Sequence, residues 1–386
     1  MAARKRNPLN PDNNRIVLVL QGGGALGAYQ AGVYHAMHEN DLAPDWVVGT
    51  SIGAINAALI AGNPQHDCLA RLREFWDRVA HDDGFDMTRV PDDARRANIQ
   101  FSTLDTVLRG VPGFFSPRVF NPFAAGIAVE PEKASFFDTG PLGKTLRELV
   151  DFDYLNEAGG VRLTVNALKV TSGTLAHFDN RLQRIGPEHV MASGALPPGF
   201  PPVRVDGELY WDGGLYSNTP LATVLEDKPS ENSLVFMVEL WSAEGPEPAT
   251  LDEVQTRQKD VMFASRSKRH IDSYVQTRKL QRTIRTLYEQ LPDSRKKQAA
   301  IARLAELGTD SMLHVIRIPY PGQDWHMASK DINFSRGSIQ WRWEQGYRDA
   351  SRAIEHARWL ARVEEETSLV LHEMPLELPP AEDLER

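Results

Sequence analysis

The sequence has very little cysteine, because Cys68 is the only one among its 386 residues. A single thiol cannot form an internal disulfide, and it cannot supply the several thiolates of a cysteine-rich zinc site. The sequence therefore excludes a disulfide framework and a zinc site of that kind. Cys68 itself is predicted to be a small buried apolar side chain.

A surplus of basic residues and a long apolar run are also absent. The 43 Lys and Arg residues stand against 52 Asp and Glu residues, whereas general nucleic-acid binders usually carry a basic surplus, so no nucleic-acid partner is predicted. Residues 1–15 contain no apolar core of signal-peptide length, and the longest apolar-looking run, 47–62, is rich in Gly, Ala, Ser and Asn. We therefore expect a cytoplasmic protein, either soluble or attached peripherally at the inner membrane surface.

The segment 47–58 predicts a strand, a sharp turn at Ser51 and a helix of small residues. Gly49 and Gly53 bracket the serine in the G-x-S-x-G pattern of a nucleophile elbow. The backbone of a serine on so tight a turn is strained, and the positions two residues to either side must lack a side chain for the turn to close. The pattern predicts an exposed Ser51 hydroxyl above a helix N-terminus, where amide groups favour developing negative charge.

A glycine-rich segment lies between a predicted buried strand, 16–20, and a predicted helix, 28–40. Gly22, Gly24 and Gly27 fit G-x-G-x-x-G, which is also the fingerprint of dinucleotide-binding proteins. That fingerprint expects an acidic residue at the end of the second strand, but this strand ends in Gly-Thr-Ser, and no Gly-Lys-Ser/Thr follows for a phosphate-binding loop. The pattern therefore favours an oxyanion hole, formed by backbone N–H groups, over a nucleotide loop.

Residues 63–138 interrupt the periodic pattern with phenylalanine, proline and glycine. An irregular aromatic insertion is typical of a lid or wall over an apolar substrate, and equally of rings that pack onto the core. The sequence leaves both interpretations open. Nine of the fifteen Phe residues lie in this insertion: Phe75, Phe85, Phe101, Phe114, Phe115, Phe120, Phe123, Phe136 and Phe137.

A carboxylate, Asp212, lies at the end of the predicted strand 208–211, after a stiff proline-rich loop at 197–202. Gly213 and Gly214 follow it, so other backbone can approach closely on that side. This makes Asp212 the candidate partner of the serine.

Two arrangements could activate Ser51. In a triad, His326 would act as the base and Asp212 would orient it, in the chain order of α/β-hydrolases. In a dyad, Asp212 would accept the Ser51 proton directly, which requires burial to raise its pKa above the ordinary value of about 3.9. The residues alone leave both arrangements open.

The stretch 252–291 is predicted to be a basic amphipathic helix. Between positions 254 and 285, nine Lys or Arg residues stand against two acids, although the chain as a whole is acidic. Such a face fits a solvated surface and also a peripheral contact with an anionic membrane. We assign 252–305 to a basic helical insertion and 321–372 to a C-terminal helical extension. Residues 1–14 are predicted to be a disordered basic N-terminus, and 373–386 a disordered acidic tail.

The motifs together resemble those of the bacterial patatin-like phospholipases. The matching pieces are 22–27 as an oxyanion loop, 49–53 as the elbow, 192–197 with 200–203, and 212–214. Their order and spacing agree from about residue 15 to 220, and the strand content extends the match to about 320. The resemblance implies an α/β fold over 15–320, namely a three-layer α/β/α sandwich with a mostly parallel central sheet, followed by extra C-terminal helices.

The resemblance also implies the chemistry. Members of the family hydrolyse lipid acyl esters without a metal or cofactor through a Ser–Asp dyad, which maps onto Ser51 and Asp212 and leaves His326 without a required role. The alternatives are a non-catalytic or regulatory patatin-like protein that binds a lipid, a storage-polyester surface or a protein partner, and, less favoured, a nucleotide-dependent oxidoreductase. The expected supporting residues are Gly49 and Gly53 at the elbow, Gly213 and Gly214 beside the proton acceptor, and the oxyanion segment of Gly22, Gly23, Gly24, Ala25 and Gly27.

Overall fold

The structure is a computed structural model that describes residues 7–81, 102–118, 126–227, 231–264, 267–322, 328–361, 363 and 367–373, with the backbone alone at 267–270. Several residues named in the sequence predictions lie outside the described residues. They are His326, residues 1–6 and 374–386 of the two termini, and Phe85, Phe101, Phe120 and Phe123 of the insertion.

A nine-stranded sheet forms the centre of the described part of the chain. Six neighbouring strands of this sheet run parallel, whereas the other three pair in the antiparallel sense. The predicted mostly parallel central sheet is therefore confirmed. In spatial order the strands are β11 (Leu369–Glu373), β10 (Leu313–Pro319), β9 (Ser233–Glu239), β1 (Arg15–Leu20), β2 (Trp46–Gly49), β5 (Arg162–Lys169), β8 (Glu208–Asp212) and β7 (Val203–Val205), with β6 (Leu175–Asp179) paired to β5 and a separate hairpin of β3 (Ser116–Pro117) and β4 (Phe137–Asp138).

Helices lie before, between and after these strands. In chain order they are α1 (Gly27–Glu39), α2 (Ile52–Ala61), α3 (Gln65–Val79), α4 (102–109), α5 (Gly140–Leu149), α6 (Phe152–Leu155), α7 (Pro187–Ser193), α8 (Leu221–Glu226), α9 (Leu251–Phe263), α10 (Ser267–Glu289), α11 (Asp293–Lys296), α12 (Ala299–Ala305) and α13 (Arg336–His356). Short 3₁₀ helices are formed by Gly24–Leu26, Pro131–Lys133, Gly213–Leu215, Lys330–Ile332 and Arg358–Leu360.

The sheet is covered on both faces. Successive side chains of a strand point to opposite faces, so Leu18 of β1 packs in one core with α1 and α2, and Val19 packs in a second core with Leu221 of α8 and Ile271 of α10. Two helical layers on one sheet are the architecture of an α/β/α sandwich. The predicted three-layer fold is confirmed.

The C-terminal region packs into this fold more closely than its sequence suggests. The helix α13 crosses α1 at two glycines, where a Cβ on Gly32 would overlap the Trp343 carbonyl and a Cβ on Gly346 would overlap the Tyr29 carbonyl. The strand β11 extends the sheet beside β10 and was not predicted, because its apolar run, 369–371, is only three residues long and has no periodicity that distinguishes a strand from a helix. The segment 321–372 is thus not wholly helical.

Helix boundaries also differ from the predictions. The stretch 252–291 forms two helices rather than one, since the backbone of Ala264 is extended and ends α9. The main helix of the predicted C-terminal helical extension, α13, ends at His356, because Ala357 adopts a left-handed conformation with φ 39°. Trp359, just beyond it, donates a hydrogen bond of 2.8 Å to the Leu9 carbonyl, so residues 7–14 are held against the domain instead of being disordered.

Candidate active site

Ser51 lies on a strained turn between β2 and α2. Its φ of 57° is rare for a residue with a side chain, and its amide donates to the Ser193 carbonyl at 3.1 Å and to the Ser193 hydroxyl at 3.0 Å. A Cβ on Gly49 would overlap the Gly53 carbonyl, and a Cβ on Gly53 would overlap the Leu20 carbonyl. The turn therefore closes only because both flanking positions are glycine, which is the physical reason for the G-x-S-x-G spacing.

Strand register brings Asp212 to the same edge of the sheet as Ser51. Gly49, the last residue of β2, lies opposite Val165 of β5, and Ser51 follows two positions later. Two positions beyond Val165, Ala167 lies opposite Asp212 of β8. The nucleophile and the carboxylate are thus equally far along β5, although 161 positions of sequence separate them.

The Asp212 carboxylate is buried, with 2% of the residue exposed. Burial raises its pKa to about 6, and the interactions with the Ser51 side chain and with the Gly214 amide, which donates a hydrogen bond of 2.7 Å, limit that rise. Gly213 lies against β5 at a distance that admits no side chain, since a Cβ would be 2.5 Å from the Asn166 carbonyl oxygen. Gly213 and Gly214 therefore let the backbone close around the carboxylate.

The glycine-rich segment is fixed through the Gly22 carbonyl. This oxygen accepts hydrogen bonds from the Asn218 side chain at 3.1 Å and from the Trp241 indole at 2.7 Å. The C=O and N–H of one trans peptide point in opposite directions, so the Gly23 amide is directed away from these two donors. In the 3₁₀ helix that follows, the Leu26 amide makes the first hydrogen bond, to the Gly23 carbonyl, which leaves the Gly24 and Ala25 amides without an acceptor inside the helix.

Two amides of the predicted oxyanion segment have partners within the chain. The Gly22 amide donates to the Asn218 carbonyl at 3.2 Å, and the Gly27 amide donates to carbonyls of the 3₁₀ helix, so both have other partners. Gly27 instead allows close packing, because a Cβ there would be 2.5 Å from the Ile52 side chain. The amides of Gly23, Gly24 and Ala25 are therefore the candidate donors of the predicted oxyanion site beside Ser51.

Sequence reasoning missed the residues that hold this segment in place. Gln21 is fully buried, and its side chain accepts from the Trp241 amide at 3.1 Å and donates to the Thr219 hydroxyl at 2.7 Å. Its own carbonyl accepts from the side chain of Gln30 at 2.6 Å. The only sequence signal for this network is the presence of polar residues among buried apolar ones at Gln21 and Gln30.

Ser51 and Asp212 border a cavity of about 300 Å³ whose other walls are mostly apolar. Gly23 and Gly24 also line it. The aromatic rings come from three parts of the chain: Phe114, Phe115 and Phe137 from the insertion, Phe200 from the proline-rich loop, and Trp241, Phe263 and Phe334 from the C-terminal half. Phe75, by contrast, packs in the core against Trp76, so both interpretations of the insertion apply to different rings.

A loop of the C-terminal region, 328–334, braces the glycine-rich segment. A Cβ on Gly24 would overlap the Asp331 carbonyl, so the two backbones are in direct contact. The fully buried Arg342 holds this loop by donating to the Lys330 carbonyl at 2.8 Å and to the Asn333 carbonyl at 3.0 Å. Lys259 of α9 adds an ion pair of 2.7 Å with Asp331.

Several cations of the basic stretch 252–291 form hydrogen bonds or ion pairs within the chain. Contacts with other groups of the chain are made by Arg257, Lys259, Arg278, Arg282 and Arg285. Arg278 is buried and donates to the Ser311 carbonyl at 2.7 Å. Within the described ranges, no helix has the length and apolar character needed to cross a bilayer.

Comparisons with known proteins identify similarity along most of the chain. A family model described as patatin-like phospholipase matches residues 18–225, more than half of the chain, and a second model described as patatin phospholipase matches residues 261–366. The second match covers α10, β10 and α13, elements that lie outside the motif-bearing part of the sequence.

Individual relatives are more distant. Patatin-like phospholipase domain-containing protein 7 of Rattus norvegicus is 28% identical over 207 residues, 54% of this chain and 12% of that protein. An uncharacterized NTE family protein of Mycobacterium tuberculosis is 28% identical over 215 residues, 55% of this chain and 29% of that protein, so the chain spans only a small part of these relatives. The solved structure of VipD from Legionella pneumophila aligns with a TM-score of 0.38 and 16% identity, over 89% of this chain and 67% of that one.

Proposed function

The chain belongs to the patatin-like phospholipase family, and we propose that it cleaves lipid acyl esters with Ser51 as nucleophile and Asp212 as general base. One observation carries the assignment of the two residues. The Ser51 side chain interacts with the buried Asp212 carboxylate, whose pKa burial raises to about 6. A carboxylate with that pKa is mostly ionised at pH 7 and is a stronger base than an exposed aspartate.

In the acylation step, the Ser51 oxygen attacks the carbonyl carbon of the ester while Asp212 accepts the hydroxyl proton. The carbonyl oxygen becomes a tetrahedral oxyanion, for which the amides of Gly23, Gly24 and Ala25 are the available donors. The bond to the leaving alcohol then breaks, and Asp212 returns the proton to the alcohol oxygen. The product of this half-reaction is an ester of Ser51 with the acyl group.

In the deacylation step, Asp212 removes a proton from a water molecule, which attacks the acyl carbon. The second tetrahedral oxyanion collapses, the Ser51 oxygen leaves and regains its proton from Asp212, and a fatty acid is released. The apolar cavity beside Ser51 suits the hydrocarbon chain, because its rings remove methylene groups from water. Neither half-reaction requires a further side chain as base.

A fluorophosphonate probe tests this proposal, because it reacts with activated serine nucleophiles and reports the modified residue by peptide mapping. We expect stoichiometric labelling at Ser51, no labelling of Ser51→Ala, and hydrolysis of soluble p-nitrophenyl acyl esters by the wild-type chain alone. Absence of both labelling and hydrolysis in a folded wild-type chain would instead identify a non-catalytic, lipid- or partner-binding member of the family.

A further inference from the structure

The helix α4 borders the cavity, and it exposes apolar residues while it buries polar ones. Its apolar residues Leu104 and Leu108 are 53% and 64% exposed, whereas its polar residues Ser102 and Thr106 are 8% and 2% exposed. Within the described part of the chain, the buried hydroxyls of Ser102 and Thr106 have no hydrogen-bond partner. A helix on a water-facing surface has the opposite pattern, with its apolar side toward the core. The outward face of α4 is therefore built for contact with apolar material.

Three other segments that line the cavity show the same feature. In each of these three, a large exposed apolar residue directly adjoins a residue of the cavity wall: Phe136 precedes Phe137, Leu215 follows Gly214, and Met262 precedes Phe263. Tyr216 is exposed one position further on. We call this set the apolar rim; it consists of Leu104, Leu108, Phe136, Leu215, Tyr216 and Met262.

We propose that the apolar rim docks on the surface of a phospholipid bilayer and that an acyl chain passes from the bilayer into the cavity across it. The proposal rests on the proposed function, since it concerns how that site meets its substrate. At α4 the rim reaches the cavity wall, because Val107 lies between Leu104 and Leu108, is 47% exposed and also lines the cavity, so an acyl chain that enters there would stay in apolar contact. Tyr216 has a ring with a polar tip, the kind of side chain enriched at membrane interfaces, and Phe136 adds apolar ring surface.

The rim differs from the basic stretch 252–291 as a membrane contact. It contains no charged side chain, and Arg257, Lys259, Arg278, Arg282 and Arg285 of the basic stretch are already engaged within the chain. Docking through the rim therefore depends on burial of apolar surface and not on attraction to anionic lipid. Binding should occur on uncharged bilayers and should survive added salt, because salt screens only charge interactions.

Vesicle flotation tests the surface directly. The full chain with Ser51→Ala, which leaves the lipid intact, is mixed with large unilamellar vesicles of phosphatidylcholine. We expect Leu104→Gln/Leu108→Gln to weaken the partition constant about tenfold or more, given the apolar area that two leucines lose. Leu182→Gln is the matched control, because Leu182 is 81% exposed and follows β6 at the opposite edge of the sheet from Ser51. We expect it to bind like the parent.

Activity provides the second measurement, in the chain with Ser51 intact. Leu104→Gln/Leu108→Gln should keep the wild-type kcat/KM on a soluble short-chain p-nitrophenyl ester and lose about tenfold or more on vesicular phospholipid. A wild-type chain that hydrolyses neither substrate refutes the proposed function, whereas the flotation result still decides whether the rim binds lipid. The two failures are thus distinguishable.

Three outcomes would overturn the proposal. The double variant would bind phosphatidylcholine vesicles as well as the Leu182→Gln control does. Binding would require anionic lipid and disappear at 0.5 M salt (about a 4 Å screening length), which would assign the contact to the basic stretch. Alternatively, the wild-type chain would be a dimer that the double substitution dissociates without changing vesicle binding, which would make the rim a self-association surface.

Discussion

Both halves of the chain contribute residues to the same cavity, but different features of the sequence and fold hold those residues in place. In residues 15–227, short motifs hold the reacting groups, and glycines adjoin each of them because a side chain would overlap neighbouring backbone. In residues 231–373, no motif marks the contributing residues, which act through contacts with positions far away, such as Trp241 with Gly22 and Arg342 with the loop beside Gly24. The nucleophile is thus specified locally, whereas the cavity wall and the brace of the oxyanion segment depend on packing of the whole domain.

The largest effect is expected in the motif-bearing half. Asp212→Asn should lower kcat/KM on a soluble ester by at least about 10⁴-fold, because the amide cannot accept the Ser51 proton. The same substitution should stabilise the fold at pH 8 by up to about 3 kcal/mol, since an asparagine side chain carries no buried charge. Denaturant unfolding measures the second effect, and the loss of activity then cannot be attributed to unfolding.

The sign of this stability effect follows from the direction of the pKa shift. Burial raises the Asp212 pKa from 3.8 to about 6 in the folded chain, so the folded chain keeps a proton that the unfolded chain releases. The stabilisation that this retained proton gives the folded chain is fully present below pH 4 and is lost as the pH rises through 6. The advantage of Asp212→Asn over the wild type should therefore be smaller at pH 5 than at pH 8, and an equal advantage at both values would contradict the burial argument.

The next effect is expected from the brace in the C-terminal half. Arg342→Met removes both hydrogen bonds to the loop 328–334 and leaves two buried carbonyls without their donor, which should cost about 2–4 kcal/mol in unfolding free energy. Because that loop contacts Gly24, kcat should also fall by about tenfold or more, with little change in KM. Arg348→Met is the matched control on the same helix, since Arg348 is exposed. Equal behaviour of the two variants would show that the brace does not act on the site.

Ring truncations in the cavity compare the two halves directly. Phe137 belongs to the insertion and Phe263 to α9, and both line the cavity. Phe137→Ala and Phe263→Ala should each enlarge the space for the acyl chain and shift the ratio of kcat/KM between long and short p-nitrophenyl esters by about tenfold. A shift with Phe137→Ala alone would exclude α9 from the acyl-binding wall.

The smallest effect is expected at the partly exposed ion pair of Lys259 with Asp331. Lys259→Met should cost less than about 1 kcal/mol, because solvent screens the pair. Lys330 pairs with Asp260 at 2.6 Å and is nearly buried under the Trp241 ring, so Lys330→Met should cost clearly more. Unfolding free energies of the two variants at one pH test this order.

The site and the fold were predictable from the sequence to different degrees. The strands β1, β2 and β8, the elbow at Ser51 and the strand-end position of Asp212 follow from local patterns, because periodicity and glycine spacing are local properties. The hydrogen bond that occupies the Gly22 amide does not, since its acceptor is the carbonyl of Asn218, far along the chain. The strand β11 and the place of Phe334 in the cavity wall could not be predicted either, because contacts between distant parts of the chain fix them.

The pH dependence of kcat/KM on a soluble ester, compared between the wild type and His326→Ala, tests the central claim most directly. If Asp212 is the base, both proteins should show the same profile, with a single ionisation near pH 6, a plateau above it and loss of activity below it as the carboxylate gains a proton. An inactive His326→Ala chain that remains folded, or a wild-type ionisation near 7 that this substitution abolishes, would contradict the dyad and require a histidine base.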